Sequence, residues 1–64
     1  MKIRNIDNGN ELRLYKTSVY KGTRRDAIRC EFEGDDEYLV EYVYPTDTLE
    51  ELLNDDGYTI IEEE

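Results

Sequence analysis

The chain has 64 residues, a net charge of −9, one cysteine and no histidine. A chain of this length forms one domain with a thin core, burying only about 60% of the surface its unfolded form exposes. The lack of histidine removes Ser/His and Cys/His nucleophilic catalysis, together with the commonest zinc ligand.

Hydrophobic residues make up 38% of the chain and fall in periodic runs, which exceeds what a disordered acidic chain shows. A single folded domain over residues 1–61 is therefore expected, with Glu62, Glu63 and Glu64 as a frayed acidic end. No apolar run approaches the roughly 18 residues of a membrane helix, and no basic start precedes an apolar stretch. One cysteine cannot form an internal disulfide. These features predict a cytoplasmic protein with no membrane association.

Charge is divided along the chain: residues 1–30 hold all eight Lys and Arg, while residues 31–64 hold most of the acids and no base. The segment VYKGTRRDAIRCEFEGDDEY, residues 19–38, crosses that divide.

In chain order, MKIRNID opens as a short strand. Asn8-Gly9 behind it is a strong two-residue hairpin signal of the type I′ kind. ELRLYKTSVY follows as a second strand, with Leu12 and Leu14 on one face and Arg13, Tyr15, Thr17 and Val19 on the other. The aliphatic phase slips after Leu14, which predicts a bulge or a strand running past the covered part of the sheet. KGTRRD reads as a longer hairpin loop. AIRCEFE is a half-buried third strand, placing Ile28, Cys30 and Phe32 inward.

Gly34-Asp35-Asp36 makes the next turn, and YLVEYVYP is the most strand-like segment of the chain. Its inward face is assigned to Tyr38, Val40, Tyr42 and Tyr44, because the alternative places the Glu41 carboxylate in the core. TDTLEELLNDDG reads as the one helix, capped by Asp47 or Thr48 with Glu50 or Glu51 as the capping-box partner and stopped by Gly57. YTII is a short fifth strand. The expected fold is α+β: a four-stranded antiparallel β-meander, one helix packed on one face and a short fifth strand (ββββαβ).

The chemical inventory is sparse. Ser18 lies mid-strand without a base nearby. Cys30 alternates with core residues, where a thiol behaves as a small hydrophobe. The glycines are isolated and make no phosphate loop. A calcium loop needs its first aspartate five residues before its glycine, and those positions hold Arg4, Thr17, Arg29 and Leu52. No enzymatic activity, cofactor or metal is expected.

Two surfaces remain as candidates. Tyr15, Val19, Leu39 and Val43 are expected on the sheet face opposite the helix, with nothing left in the sequence to cover them. The acids Glu31, Glu33, Asp35, Asp36 and Glu37 extend that surface as carboxylates able to mimic phosphates. The leading expectation is a small non-enzymatic inhibitor or regulator that masks a protein target, a nucleic-acid-handling protein in particular. In size and charge it is similar to small acidic inhibitors encoded by phages, a class that includes DNA mimics, although no motif places it in one of their families. The alternatives are a single-stranded nucleic-acid binder using the basic loop with Lys21, Arg24 and Arg25 beside Tyr15 and Tyr20, or a homodimeric structural or regulatory protein.

Overall fold

Apolar residues at every second position of an extended chain can line only one face of a sheet, and the chain carries several such runs. The computed structural model describes residues 1–63, in which those runs form β1 (Lys2–Asn5), β2 (Glu11–Lys21), β3 (Asp26–Glu33), β4 (Tyr38–Val43) and β5 (Tyr58–Glu62). One helix, α1 (Leu49–Asp55), joins β4 to β5. The strands make a single curled sheet in the order β4-β3-β2-β1-β5, with each pair antiparallel. The first four strands are a meander and the fifth lies beside β1, at the edge farthest from β4. The α+β fold with a meander, one helix and a short fifth strand is thus the one expected. Glu62 pairs with Lys2, so β5 runs one residue past the boundary expected at 61, and Glu64 lies outside the described residues.

The helix returns the chain from one sheet edge to the other and packs against both β4 and β5. Its buried residue Leu53 joins Ile3, Leu12, Cys30, Phe32 and Tyr58 in the core, with Leu14, Leu39, Val43, Leu49 and Ile60 packed around them. Thr48 is the N-cap, and its hydroxyl hydrogen-bonds the Glu51 carboxylate instead of a backbone N–H. Gly57, at φ +90°, supplies the left-handed residue that ends the helix.

Three local expectations are corrected. The first turn is not a two-residue type I′ hairpin at Asn8-Gly9. Of those two residues only Gly9 has a positive φ, +77°, and the loop is closed lower down, where the Asn5 N–H donates to the Asn10 carbonyl at 2.7 Å. The Asn5 Oδ1 accepts from the Asp7 and Asn8 amides at 2.9 and 3.2 Å, an Asx-type closure that outcompetes the tighter turn.

The bulge expected after Leu14 is present, but it turns the strand over. Leu14 lies opposite Phe32 and Lys16 opposite Glu31, so β2 advances two residues where β3 advances one, and Tyr15 is the extra residue. Beyond it Thr17 and Val19 share the helix-side face with Cys30 and Ile28, not the opposite one.

β4 also presents its faces the other way round. Leu39, Glu41 and Val43 lie opposite Phe32, Cys30 and Ile28 and turn toward α1, whereas Tyr38 and Tyr42 turn outward and are 54% and 38% exposed. The Glu41 carboxyl, which from the sequence argues for the other face, is therefore buried. Burial pushes its pKa up to about 8, with Asp56 adding to the shift, so the group meets the desolvation cost by holding its proton. The aliphatic Leu39 and Val43 gain the core in return, and the tyrosine hydroxyls gain polar partners outside.

Candidate binding surface

The bulge and the orientation of β4 together decide what the uncovered sheet face carries. On β2 it presents Arg13, Tyr15, Lys16, Ser18 and Tyr20; on β3, Arg29, Glu31 and Glu33; on β4, Tyr38 and Tyr42. Tyr15 is 51% and Tyr20 40% exposed. Four of the six tyrosines therefore stand on a face that α1 does not cover.

Their rings are held from below. Glu31 is only 4% exposed, and its Oε1 accepts from the Tyr15 hydroxyl at 3.1 Å and from the Tyr38 hydroxyl. Its Oε2 accepts from the Arg29 guanidinium. The Arg29 Nε donates to the Tyr42 hydroxyl at 3.2 Å, and the two phenols of Tyr15 and Tyr38 stand 3.1 Å apart. Hydrogen bonds from Tyr38 and then Tyr15, with the nearby Arg29 charge, hold the Glu31 carboxyl below its ordinary range against the opposing effect of desolvation. The same contact raises the Tyr38 phenol, and the Tyr42 hydroxyl helps keep Arg29 charged. Packing extends the cluster: the Tyr15 and Tyr38 rings lie 6.1 Å apart, and Tyr20 meets Tyr42 edge to face at 4.8 Å. A buried carboxylate thus fixes the exposed Tyr15 and Tyr38 rings directly and that of Tyr42 through Arg29.

The residues named from the sequence are distributed unevenly over this geometry. Tyr15 belongs to the cluster. Val19, Leu39 and Val43 do not, because all three lie on the helix side; Leu39 and Val43 pack on the core, while Val19 remains 60% exposed. Glu31 is buried at the centre of the cluster, and Glu33 lies opposite Arg13.

Glu37 is engaged elsewhere. Its carboxylate accepts from the Asn5, Asn8 and Asn10 amides at 3.4, 3.3 and 2.7 Å and from the Tyr58 hydroxyl at 2.8 Å, tying the β3–β4 turn to the first turn and to β5. Those bonds, led by Asn10 and Tyr58, lower its pKa. Asp35 and Asp36 are exposed in the turn. At the basic loop, Lys21 pairs with Asp26 at 3.1 Å, Arg25 stacks on the Tyr44 ring at 4.1 Å, and Arg24 is exposed. Sequence reasoning missed Tyr38 and Tyr42, both assigned inward. The signal that could have placed them is the alternation of Arg29 and Glu31 on the wet face of β3, which offers the partners that phenols need.

The helix-side apolar residues that α1 leaves uncovered, Val19 and Ile28 with Val43 and Pro45, line a shallow groove of about 380 Å³. Among the described residues no group of three or more Cys, Asp or Glu is placed to hold a metal ion, and no helix is long and apolar enough to cross a membrane. No protein-family model matches the chain, and no curated protein or solved structure matches it.

Proposed function

We propose that this chain is a small binding protein without catalysis that masks a surface of a partner protein with its tyrosine-bearing sheet face. The observation that carries the reading is the row of exposed rings on an uncovered face, with Tyr15 and Tyr38 hydrogen-bonded to the buried Glu31, Tyr42 to Arg29, and Tyr20 packed edge to face on Tyr42. Tyrosine and arginine are the residues most enriched at interface anchors. Rings already held in place lose little rotamer freedom on docking, so more of the contact energy is left for affinity. The mimicry form of this reading rests on fewer acids than the sequence offers, since Glu31 and Glu37 are committed to internal hydrogen bonds.

The test compares wild type with the Tyr15→Ala/Tyr42→Ala variant as immobilised baits in a cell extract, after circular dichroism has shown that the variant folds. Partner proteins retained by wild type at low salt and lost with the variant are expected. Retention of the same proteins by both, or of none above background, contradicts the reading.

A second reading has its own support. The same face and its adjoining loop carry Arg13, Lys16, Arg25 and Arg29, and Arg25 already stacks on Tyr44, an arrangement suited to the bases and phosphates of a single strand. The net charge of −9 opposes it at long range. Fluorescence anisotropy with labelled oligonucleotides separates the two, with charge reversal at Arg24 and Arg25 abolishing binding only if the strand is the ligand.

A further inference from the structure

The β2–β3 ribbon projects past the rest of the sheet. β1 pairs with β2 only from Glu11 to Arg13, and the last contact on that side is the Leu14 N–H donating to the Met1 carbonyl at 3.0 Å. From Lys16 to Lys21, β2 is paired with β3 alone, and five of the six residues are exposed, Ser18 being half-buried. Every second residue there directs an N–H and a C=O toward a side with no neighbouring strand among the described residues, which is a template for strand addition.

Two further observations specify what that template accepts. The cations along it are uncommitted: Arg13, Lys16 and Arg24 make no salt bridge among the described residues, and Lys21 has only the exposed pair with Asp26. Beside the edge, on the helix side, the groove lined by Val19, Ile28, Val43 and Pro45 is open and apolar. A strand laid against Lys16–Lys21 alternates its own side chains between these two environments. Those beside Lys16 and Ser18 turn to the face that carries Arg13 and Lys16, and those beside Thr17 and Val19 turn toward the groove. A second copy of this chain would set the same cations against themselves along the seam, which lysines at a sheet edge serve to prevent.

We propose that the open edge of β2 from Lys16 to Lys21 accepts an extended segment of a partner protein in which acidic side chains alternate with aliphatic ones. This site is the backbone edge of β2 and shares Lys16, Ser18 and Tyr20 with the tyrosine face, but it does not use Tyr15, Tyr38 or Tyr42, so either can fail while the other stands.

The test is a titration of the ¹⁵N-labelled full chain, followed by amide shifts and amide hydrogen exchange. The probes are the acetylated hexapeptide of alternating valine and glutamate, its valine–lysine counterpart and an eight-nucleotide oligo(dT). The glutamate peptide is expected to shift the amides of Lys16–Lys21 and slow their exchange, and N-methylation at its alternate residues is expected to abolish the effect. Arg13→Glu/Lys16→Glu, at the two cations on the face to which the glutamates turn, should weaken that binding by roughly tenfold, as loss of two exposed charge pairs implies. Equal binding of the glutamate and lysine peptides, no response to either, or shifts confined to Tyr15, Tyr38 and Tyr42 would overturn the proposal. Edge shifts produced by oligo(dT) and not by the glutamate peptide would overturn it in favour of a nucleic-acid strand.

Discussion

Glu41 lies directly opposite Cys30 across β3 and β4, on the face that α1 covers, and the two residues are 8% and 4% exposed. Loss of water around the carboxyl, reinforced by Asp56 at the end of α1, raises its pKa to about 8, and its Oε1 has no hydrogen-bond partner among the described residues. Burial, and then the Glu41 charge, raises the Cys30 thiol as well. A titratable group under a short helix makes the stability of this small fold depend on pH.

The native Glu41 keeps its proton up to about pH 8, whereas the unfolded carboxyl releases it near 4.5. Between those values the native state binds more protons, so this group's contribution falls as pH rises from 4.5 to 8 and is level on either side. Glu31 and Glu37 act in the opposite sense. Their pKa values are lowered, so their contributions are complete above 4.5 and are lost as pH falls below it. Urea midpoints should therefore peak just above pH 4.5 and decline toward pH 8. Glu41→Gln should remove most of that alkaline decline and leave the acid side unchanged. An equally steep alkaline decline in the variant would show that Glu41 is ionised in the fold.

The Cys30 thiol should be unreactive in the native protein. With an aromatic disulfide reagent at pH 8, the reaction is expected to be slower than that of the urea-unfolded chain by a factor that tracks the folding equilibrium, because labelling requires opening. Reaction at the unfolded rate in native buffer would place the thiol at the surface and reverse the register of β3.

How much of this was legible in the sequence depends on the element. The meander, the helix bounded by Thr48 and Gly57 and the fifth strand follow from alternation and capping signals that are local, and each appears where expected. The faces of β2 and β4 were not legible, because each depends on something nonlocal. In β2 the slip after Leu14 could be seen, but which residue bulges is fixed by the pairing of Leu14 with Phe32 and Lys16 with Glu31. In β4 the choice was between burying a carboxyl and burying two phenols. The cost of burying an ionised carboxylate points to the phenols, but burial and the nearby Asp56 raise the Glu41 pKa to about 8, so the carboxyl that is buried is the neutral form. The role of Glu37 was hidden for a similar reason: its partners Asn5, Asn8, Asn10 and Tyr58 come from both ends of the chain.

The alkaline titration of the phenols tests the hydrogen bonds that fix the tyrosine face. Tyr38 is raised above its ordinary value of 10.0, first by its hydrogen bond to Glu31, and Tyr58 is raised, first by burial. Ultraviolet absorbance should show phenol ionisation that continues above the ordinary value of 10.0, from Tyr38 and Tyr58. Glu31→Gln should bring that of Tyr38 back toward 10 and leave Tyr58 late. Superimposable titrations of wild type and variant would mean that Glu31 does not hold the ring.

Two substitutions probe the fold's closures. Leu53→Ala removes the helix's fully buried side chain from the core and should cost about 2–5 kcal/mol, a large share of the stability of a domain this size. Glu37→Gln should lower the melting temperature and loosen the first turn, seen as faster amide exchange at Gly9 and Asn10. Unchanged exchange there would deny Glu37 its role as the tie between the turns.

The tyrosine face is tested most directly by photochemical crosslinking in an extract of the source cell, with p-benzoylphenylalanine placed at Tyr15, at Tyr42 or, on the opposite side, at Glu50. Crosslinked protein bands from positions 15 and 42 that excess wild-type chain competes away, with none from position 50, are the predicted result. Bands from position 50 alone, or none from 15 and 42, would contradict it.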